Sequence, residues 1–341
     1  MDYRRTSTFQ QRRSLRKGKK KRATYLWLVI FMIIGIFYYS ITNNEDQPES
    51  LVSPDRQSGG EVAGVLSTQS TSPGAMPYPS PSPVIKSKSL QEAIEKSLEG
   101  TTGSYGVFVK NLKTGESFSL NENKVFDAGS LYKLWTMAVV FNEIEKGNLE
   151  EDEELSQAIS VLNRKFGIDP ALAEQTQGTI TLTVRDALKQ MITISHNYAA
   201  LLLTEKIKLS TVAAWLEEKS FTYSKVGTDG SAPSTTPLDI ALFYEKLYKG
   251  ELANEESTAR MFELLKAQQI NHKLPQNLPK GTVMAHKTGE LGWFSHDAGI
   301  VYTEKGDYLI VAMSESPSPK GAEERIATLS ETIFNYFKNK K

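Results

Sequence analysis

The sequence predicts an α+β fold, an antiparallel sheet flanked by helices beside an all-helical lobe, with the active site between them. Three observations carry this. Strand-like runs cluster at the two ends of the region from residue 89 onward, the stretch between them reads as helices, and no strand–helix–strand alternation is present. A parallel sheet needs that alternation; hairpins at both ends need only short turns.

Taken in order, Ser89–Leu98 reads as a helix, with Ile94 and Leu98 as apolar partners one turn apart. Ser104–Lys110 alternates as a strand, Thr114–Gly115 turns the chain and Glu116–Leu120 returns. A helix from about Ser130 to Lys146 carries Leu134, Met137, Ala138 and Phe141 along one side. Thr183–Ile194, Leu209–Glu218, Leu238–Tyr248 and Glu255–Ala267 follow as helices. Thr183 with Asp186 three residues on is a capping signal, and Pro237 suits a helix entry. Val283–Lys287, Asp297–Tyr302 and Tyr308–Met313 read as strands, and Glu323–Phe337 closes the chain as a helix.

The folded domain is thus expected over 89–341, behind three other segments. Residues 1–22 hold ten Lys or Arg and one acid, Asp2. Residues 23–41 form an uncharged apolar run of 19, just long enough as a helix to cross about 30 Å of hydrocarbon. Trp27, Tyr38 and Tyr39 lie near its ends, where amphipathic rings favour the interface. Positive-inside bias places the N-terminus in the cytoplasm and the rest outside, so the domain is expected at the cell membrane on an extracytoplasmic tether. The run ends in bulky residues, which favours a retained anchor over a cleaved signal peptide. Residues 42–88 begin with a Ser/Pro-rich stretch too polar to bury much surface, a linker. The membrane run accounts for the basic arm, so no nucleic acid is expected as a partner. Lys plus Arg balance Asp plus Glu at 40 each, so net charge points to no partner. The absence of cysteine excludes disulfides and thiolate chemistry. Four scattered histidines give no metal-ligand spacing, and neither metal nor cofactor is expected. Composition does not fix the oligomeric state.

Three short motifs carry the chemistry. Ser130-Leu131-Tyr132-Lys133 is an S-x-x-K, and residues three apart share a helix face, so Lys133 can sit beside the Ser130 hydroxyl. A desolvated lysine can be neutral at working pH and take the proton that a serine must lose to become a nucleophile. A serine in the first turn also places backbone N–H groups near a developing oxyanion. Ser195-His196-Asn197 ends the capped helix: Ser195 can relay a proton and Asn197 can donate to a carbonyl. His286-Lys287-Thr288-Gly289 ends a strand, with a cation and a hydroxyl for a carboxylate and a glycine that leaves room for a ligand to align as an added strand. Each motif alone also describes an ordinary helix start, polar helix end or turn.

Together and in this order they resemble the active-site elements of the serine β-lactamase and penicillin-binding superfamily, especially the class A β-lactamases. Phe126-Asp127-Ala128-Gly129, Thr183-Val184-Arg185-Asp186-Ala187-Leu188 and Thr235-Thr236-Pro237 extend the resemblance over the domain. It implies a β-lactamase/transpeptidase-like fold and a serine hydrolase that forms an acyl-serine on a β-lactam or cell-wall peptide. Ser130 would be acylated, Lys133 would transfer protons, and Ser195 would protonate the leaving nitrogen. Asn197 would position the acyl side chain. Lys287, Thr288 and Gly289 would hold substrate, and the backbone N–H groups of Ser130 and Glu290 would form the oxyanion hole.

Two departures stand out. The family's middle motif reads S-D-N, whereas residue 196 is His, read here as a buried packing residue. The family's deacylating glutamate precedes Thr-Thr-Pro, whereas Phe221–Ser234 contains no Glu and one acid, Asp229. Acylation is therefore expected and slow deacylation with it. A D,D-peptidase, a slow penicillin-binding protein or a non-catalytic sensor stand as alternatives. Trp135, Trp215 and Phe141 read as packing residues. Trp293 and Phe294 read as cleft lining or sheet packing, and His296 as support for the turn region or a solvent-facing residue.

Overall fold

The computed structural model describes residues 85–340, Ser87 excepted. They lie within one unit that begins at Met76. The basic arm, the apolar run 23–41 and nearly all of the expected linker lie outside the described residues. Among the described residues, no helix is long and apolar enough to cross a membrane.

The chain runs β1 (Ile85–Lys86), α1 (Lys88–Leu98), β2 (Ser104–Asn111), β3 (Glu116–Leu120) and β4 (Phe126–Asp127). A 3₁₀ turn, Gly129–Tyr132, then leads into α2 (Lys133–Glu145). The middle holds β5 (Glu154–Ala158), α3 (Ile159–Lys165), β6 (Thr179–Thr183), α4 (Val184–Thr193), α5 (Asn197–Ile207) and α6 (Leu209–Glu218). Then follow β7 (Ser234–Thr235), α7 (Pro237–Tyr248), α8 (Glu255–Lys266), β8 (Met284–Leu291), β9 (Phe294–Val301), β10 (Tyr308–Glu315) and α9 (Pro319–Asn339).

Six strands form the main sheet in the order β1-β3-β2-β10-β9-β8, with β1 parallel to β3 and every other pair antiparallel. The fold is α+β, as the sequence predicts. Alternation along β10 explains the layering: Tyr308, Ile310 and Ala312 pack with Leu90, Ile94, Ile326, Leu329 and Ile333 from α1 and α9. Leu309, Val311 and Met313 face the larger core built by α2, α4, α5 and α7. α2 is buried continuously from Lys133 to Phe141, because sheet and helical lobe close on it from opposite sides.

The middle differs from expectation. It is not all helical, since β5 and β6 form an antiparallel pair, Glu154↔Thr183 to Ala158↔Thr179. Neither α3 nor α5 is among the helices expected from the sequence; α5 is buried on most sides, which erases the period. At the N-terminus, Ile85 and Lys86 pair with Glu116 and Ser117 inside the range read as linker. Two helix starts match their signals. Thr183 Oγ1 accepts from Asp186 N at 3.1 Å, and Pro237 opens α7 behind its cap Thr236.

Candidate active site

β4 delivers the S-x-x-K motif. It pairs Phe126↔Thr235 and Asp127↔Ser234, and Ala128 N donates to Pro233 O at 2.8 Å. At Gly129 the backbone takes φ +48°, and a Cβ there would lie 2.9 Å from Glu290 N. Glycine therefore lets the Ser130 turn press on β8, which brings the backbone at residue 129 beside that of Glu290. Gly289 serves the same contact from the other side: a Cβ would meet Ala128 O at 2.9 Å and Leu131 Cγ at 3.0 Å. The missing side chain at Gly289 thus makes room for the chain's own turn.

His296 fastens this arrangement. It is buried, its Nδ1 accepts from Ser314 N at 3.1 Å, and its Nε2 lies 2.8 Å from Asp127 O. The tautomer follows: Nε2 carries the proton and donates it to the strand that leads to Ser130. Burial pushes the imidazole down to about 4, so it stays neutral. It does not face solvent, and the turn it supports is the one before Ser130 rather than the one after Lys287.

Ser130 is half-buried at the start of the turn. Lys133 is fully buried at the start of α2, and its Nζ donates to Ser195 O at 2.6 Å, Asn197 Oδ1 at 2.7 Å and Ser195 Oγ at 3.2 Å. The Ser130 hydroxyl is not among these partners: Lys133 reaches across to the 195–197 turn rather than up its own turn. Burial holds its ammonium down to about 7, against the opposing charge of Glu174. Lys287, also fully buried, donates to the same Ser195 Oγ at 3.0 Å and to Thr288 O at 2.9 Å. Burial first, and then the charge of Lys133, push Lys287 well below the ordinary lysine range. With two amines donating to Ser195 Oγ, its lone pairs are engaged and its own proton is free to point elsewhere.

Ser195 itself sits at φ +57°, a region a non-glycine residue enters at a cost. The turn is held from both sides: His196 N donates to Gln190 O at 3.1 Å, and Gln269 N to Thr193 O at 2.9 Å. His196 is not the buried packing residue that the sequence suggested. It is half-buried and caps α5, its Nδ1 accepting from Ala199 N at 3.1 Å, the service an Asp side chain gives at a helix start.

Thr288 is buried on β8 opposite Asp297. The Glu290 carboxylate is drawn to Lys273 Nζ at 2.5 Å. Among the described residues, His272, Glu290 and Glu323 bring ligand atoms within 4.8 Å of one another, but Lys273 already neutralises Glu290. Trp135, Trp215 and Phe141 are core residues, with Trp215 stacked on Phe221 at 5.4 Å. Trp293 is 64% exposed in the β8–β9 turn, while Phe294 packs on the main core.

The two carboxylates nearest this question behave differently. Asp229 is exposed and accepts from Ser231 N and Oγ at 3.0 and 2.6 Å, a turn that engages no site residue. Glu174, which no motif marked, accepts from Asn197 Nδ2 at 2.5 Å. Its only sequence signal is its place in the acid-bearing loop between α3 and β6.

A family model described as "Beta-lactamase enzyme family" matches residues 88–337. The chain belongs to that family. It is a serine hydrolase of class A β-lactamase-like build, and its relatives are distant. Beta-lactamase VEB-1 of Pseudomonas aeruginosa is 23% identical over 270 residues, covering 72% of this chain and 90% of that one. The extended-spectrum β-lactamase PER-1 of the same organism is 22% identical and covers 72% and 87%. Among solved structures, PBP-A aligns at TM-score 0.66 with 22% identity, covering 76% of this chain and 99% of that one. A mutant of PBP-A solved as an acyl-enzyme complex with penicillin G aligns at the same TM-score. A β-lactamase from Sphaerobacter thermophilus aligns at 0.64, covering 74% and 98%. These structural likenesses show the β-lactamase-family fold.

Proposed function

We propose that this protein is a membrane-tethered, extracytoplasmic acyl-serine hydrolase that opens β-lactams or related amide bonds of cell-wall peptides, with Ser130 as nucleophile. One observation carries the reading. Two buried lysines from different elements, Lys133 and Lys287, converge on Ser195 Oγ, with Lys133 one helical turn from Ser130. Burying two amines side by side is costly and serves no packing purpose.

In the proposed reaction, neutral Lys133 takes the Ser130 proton, by way of the Ser195 hydroxyl or a small swing of its own amine. Ser130 Oγ then attacks the carbonyl carbon, and the backbone N–H groups of Ser130 and Glu290 hold the oxyanion. The C–N bond breaks as Ser195 gives its proton to the leaving nitrogen and takes one from the Lys133 ammonium, which leaves an ester on Ser130 and Lys133 neutral again. Lys287, Thr288 and the Gly289 backbone hold the substrate carboxylate, and Asn197 Nδ2 holds the acyl-side carbonyl.

The acid-poor 221–234 segment supports a second reading within the same chemistry, a slowly deacylating penicillin-binding protein or D,D-peptidase. Asp229 is tied to Ser231, and Glu217 and Glu218 lie on α6. Intact mass followed over time after addition of benzylpenicillin tests both readings. A one-equivalent adduct that persists supports the slow form, and a transient adduct with steady hydrolysis supports a β-lactamase. A chain that never gains the adduct is a binding or sensor domain, and the proposal fails. The tether rests on residues 23–41; recovery of the full chain in the soluble fraction of its host would remove it.

A further inference from the structure

We propose that Glu174 makes the acyl side of the cleft select substrates whose acyl group carries a cation, and disfavour those that carry an anion there. The inference deepens the reading above and rests on it.

Glu174 is a placed residue rather than a loose surface acid. The next residue, Gln175, is clamped by buried Tyr198 of α5: Gln175 N donates to Tyr198 Oη at 3.1 Å, and Tyr198 Oη donates to Gln175 O at 2.7 Å. Asn163 Nδ2 of α3 also donates to Gln175 O at 2.8 Å, and Tyr198 Oη lies 3.0 Å from Asn163 Oδ1. Tyr198 directly follows Asn197, so one buried clamp fixes the carboxylate and the amide that it touches.

The amide then has a defined orientation. Asn197 Oδ1 faces the Lys133 amine, and one Nδ2 proton goes to Glu174. The second Nδ2 proton is left for the acyl-side carbonyl of a substrate. A substituent on the carbon next to that carbonyl would come within about 5 Å of the carboxylate, where a unit charge in a water-like surround changes binding about four-fold. Glu174 is exposed, and among the described residues no cation lies within ion-pair distance of it. The buried ammonium that feels it, Lys133, is already engaged by Ser195 and Asn197.

The test uses three penicillins with one skeleton: benzylpenicillin, its α-amino derivative and its α-carboxy derivative. Second-order acylation constants are measured by intact mass on the full chain in detergent at pH 6 and low salt. The wild type is expected to favour the ammonium form over the carboxylate form about ten-fold, with benzylpenicillin between, and 1 M NaCl should compress that spread. Glu174→Gln keeps an acceptor for Asn197 but no charge, and should erase the ordering; any change in Lys133 acts on all three probes alike. A flat or reversed order in the wild type, an order unmoved by salt, or one that survives in Glu174→Gln overturns the proposal. If none of the three acylates the wild type, the acyl-serine reading falls and takes this inference with it.

Discussion

Two loops treat their acids in opposite ways, Glu174 in one and Asp229 in the other. Residues 169–178 are clamped to α5 through Gln175 and send Glu174 to Asn197. Residues 221–234 are anchored at their base, where Asp239 Oδ2 accepts from Tyr223 N and Ser224 Oγ, both at 2.8 Å, and their one acid curls back on Ser231. The second also meets the Ser130 turn, where Pro233 O accepts from Ala128 N. What separates them is the partner available. A carboxylate beside an amide that is itself held by a buried amine gains a fixed job, while one that can satisfy itself within its own turn does not.

The comparison can be broken or sharpened by substitution. The largest effect is expected from Ser130→Ala, which removes the only group that can carry the ester: no covalent adduct should appear with any β-lactam, at least a 10³-fold loss by intact mass. Next, Lys133→Met should slow acylation by 10²–10⁴-fold, the usual range for a lost general base. The same variant should gain stability. The ammonium is held near 7 in the fold against an ordinary 10.5, so its burial cost is full below pH 7 and fades as pH rises toward 10.5. A gain of about 1–3 kcal/mol at pH 6 that shrinks by pH 9, read from denaturant curves, would agree; a loss at pH 6 would contradict it. In the wild type, acylation should climb close to ten-fold per pH unit below about 7 and level off above it, since the neutral amine is the base.

Ser195→Gly comes third. It relieves a φ of +57° but takes from two buried amines the acceptor they share, so stability should move by less than about 1 kcal/mol while acylation slows by about 10²-fold or more. A variant both less stable and equally active would mean that the turn is built for shape alone. The smallest change is expected from Asp229→Asn. Its carboxylate engages only Ser231, so the lifetime of the acyl-enzyme should move by less than two-fold. A marked lengthening would put the deacylating acid back in the 221–234 segment and undo the contrast between the two loops.

Much of the site was readable because its chemistry is written in short runs. Ser130 to Lys133, Ser195 to Asn197, and Lys287 to Glu290 each sit on one turn or one strand end, so spacing alone reports which side chains share a face. The capped start of α4 and the proline start of α7 were readable for the same reason. What escaped depends on distance along the chain. β5 contains no β-branched residue, and only its pairing with β6 some twenty residues later makes it a strand. Glu174 matters only because Tyr198, on another element, pins its neighbour. His196 was misread because its neighbours suggest a missing aspartate, whereas its ring nitrogen fills that residue's capping place. The packing of the Ser130 turn on Gly289 also escaped, because the two meet only in the fold.

That last contact has a second side. β8 ends the main sheet, and an outermost strand offers unpaired backbone groups to any other extended chain. The turn that bears Ser130 packs on Gly289 and Glu290, at one stretch of that border. One contact therefore couples the two: a bulkier residue at Gly129 would push the Ser130 turn off β8 and disturb the rim along which another extended chain would have to align.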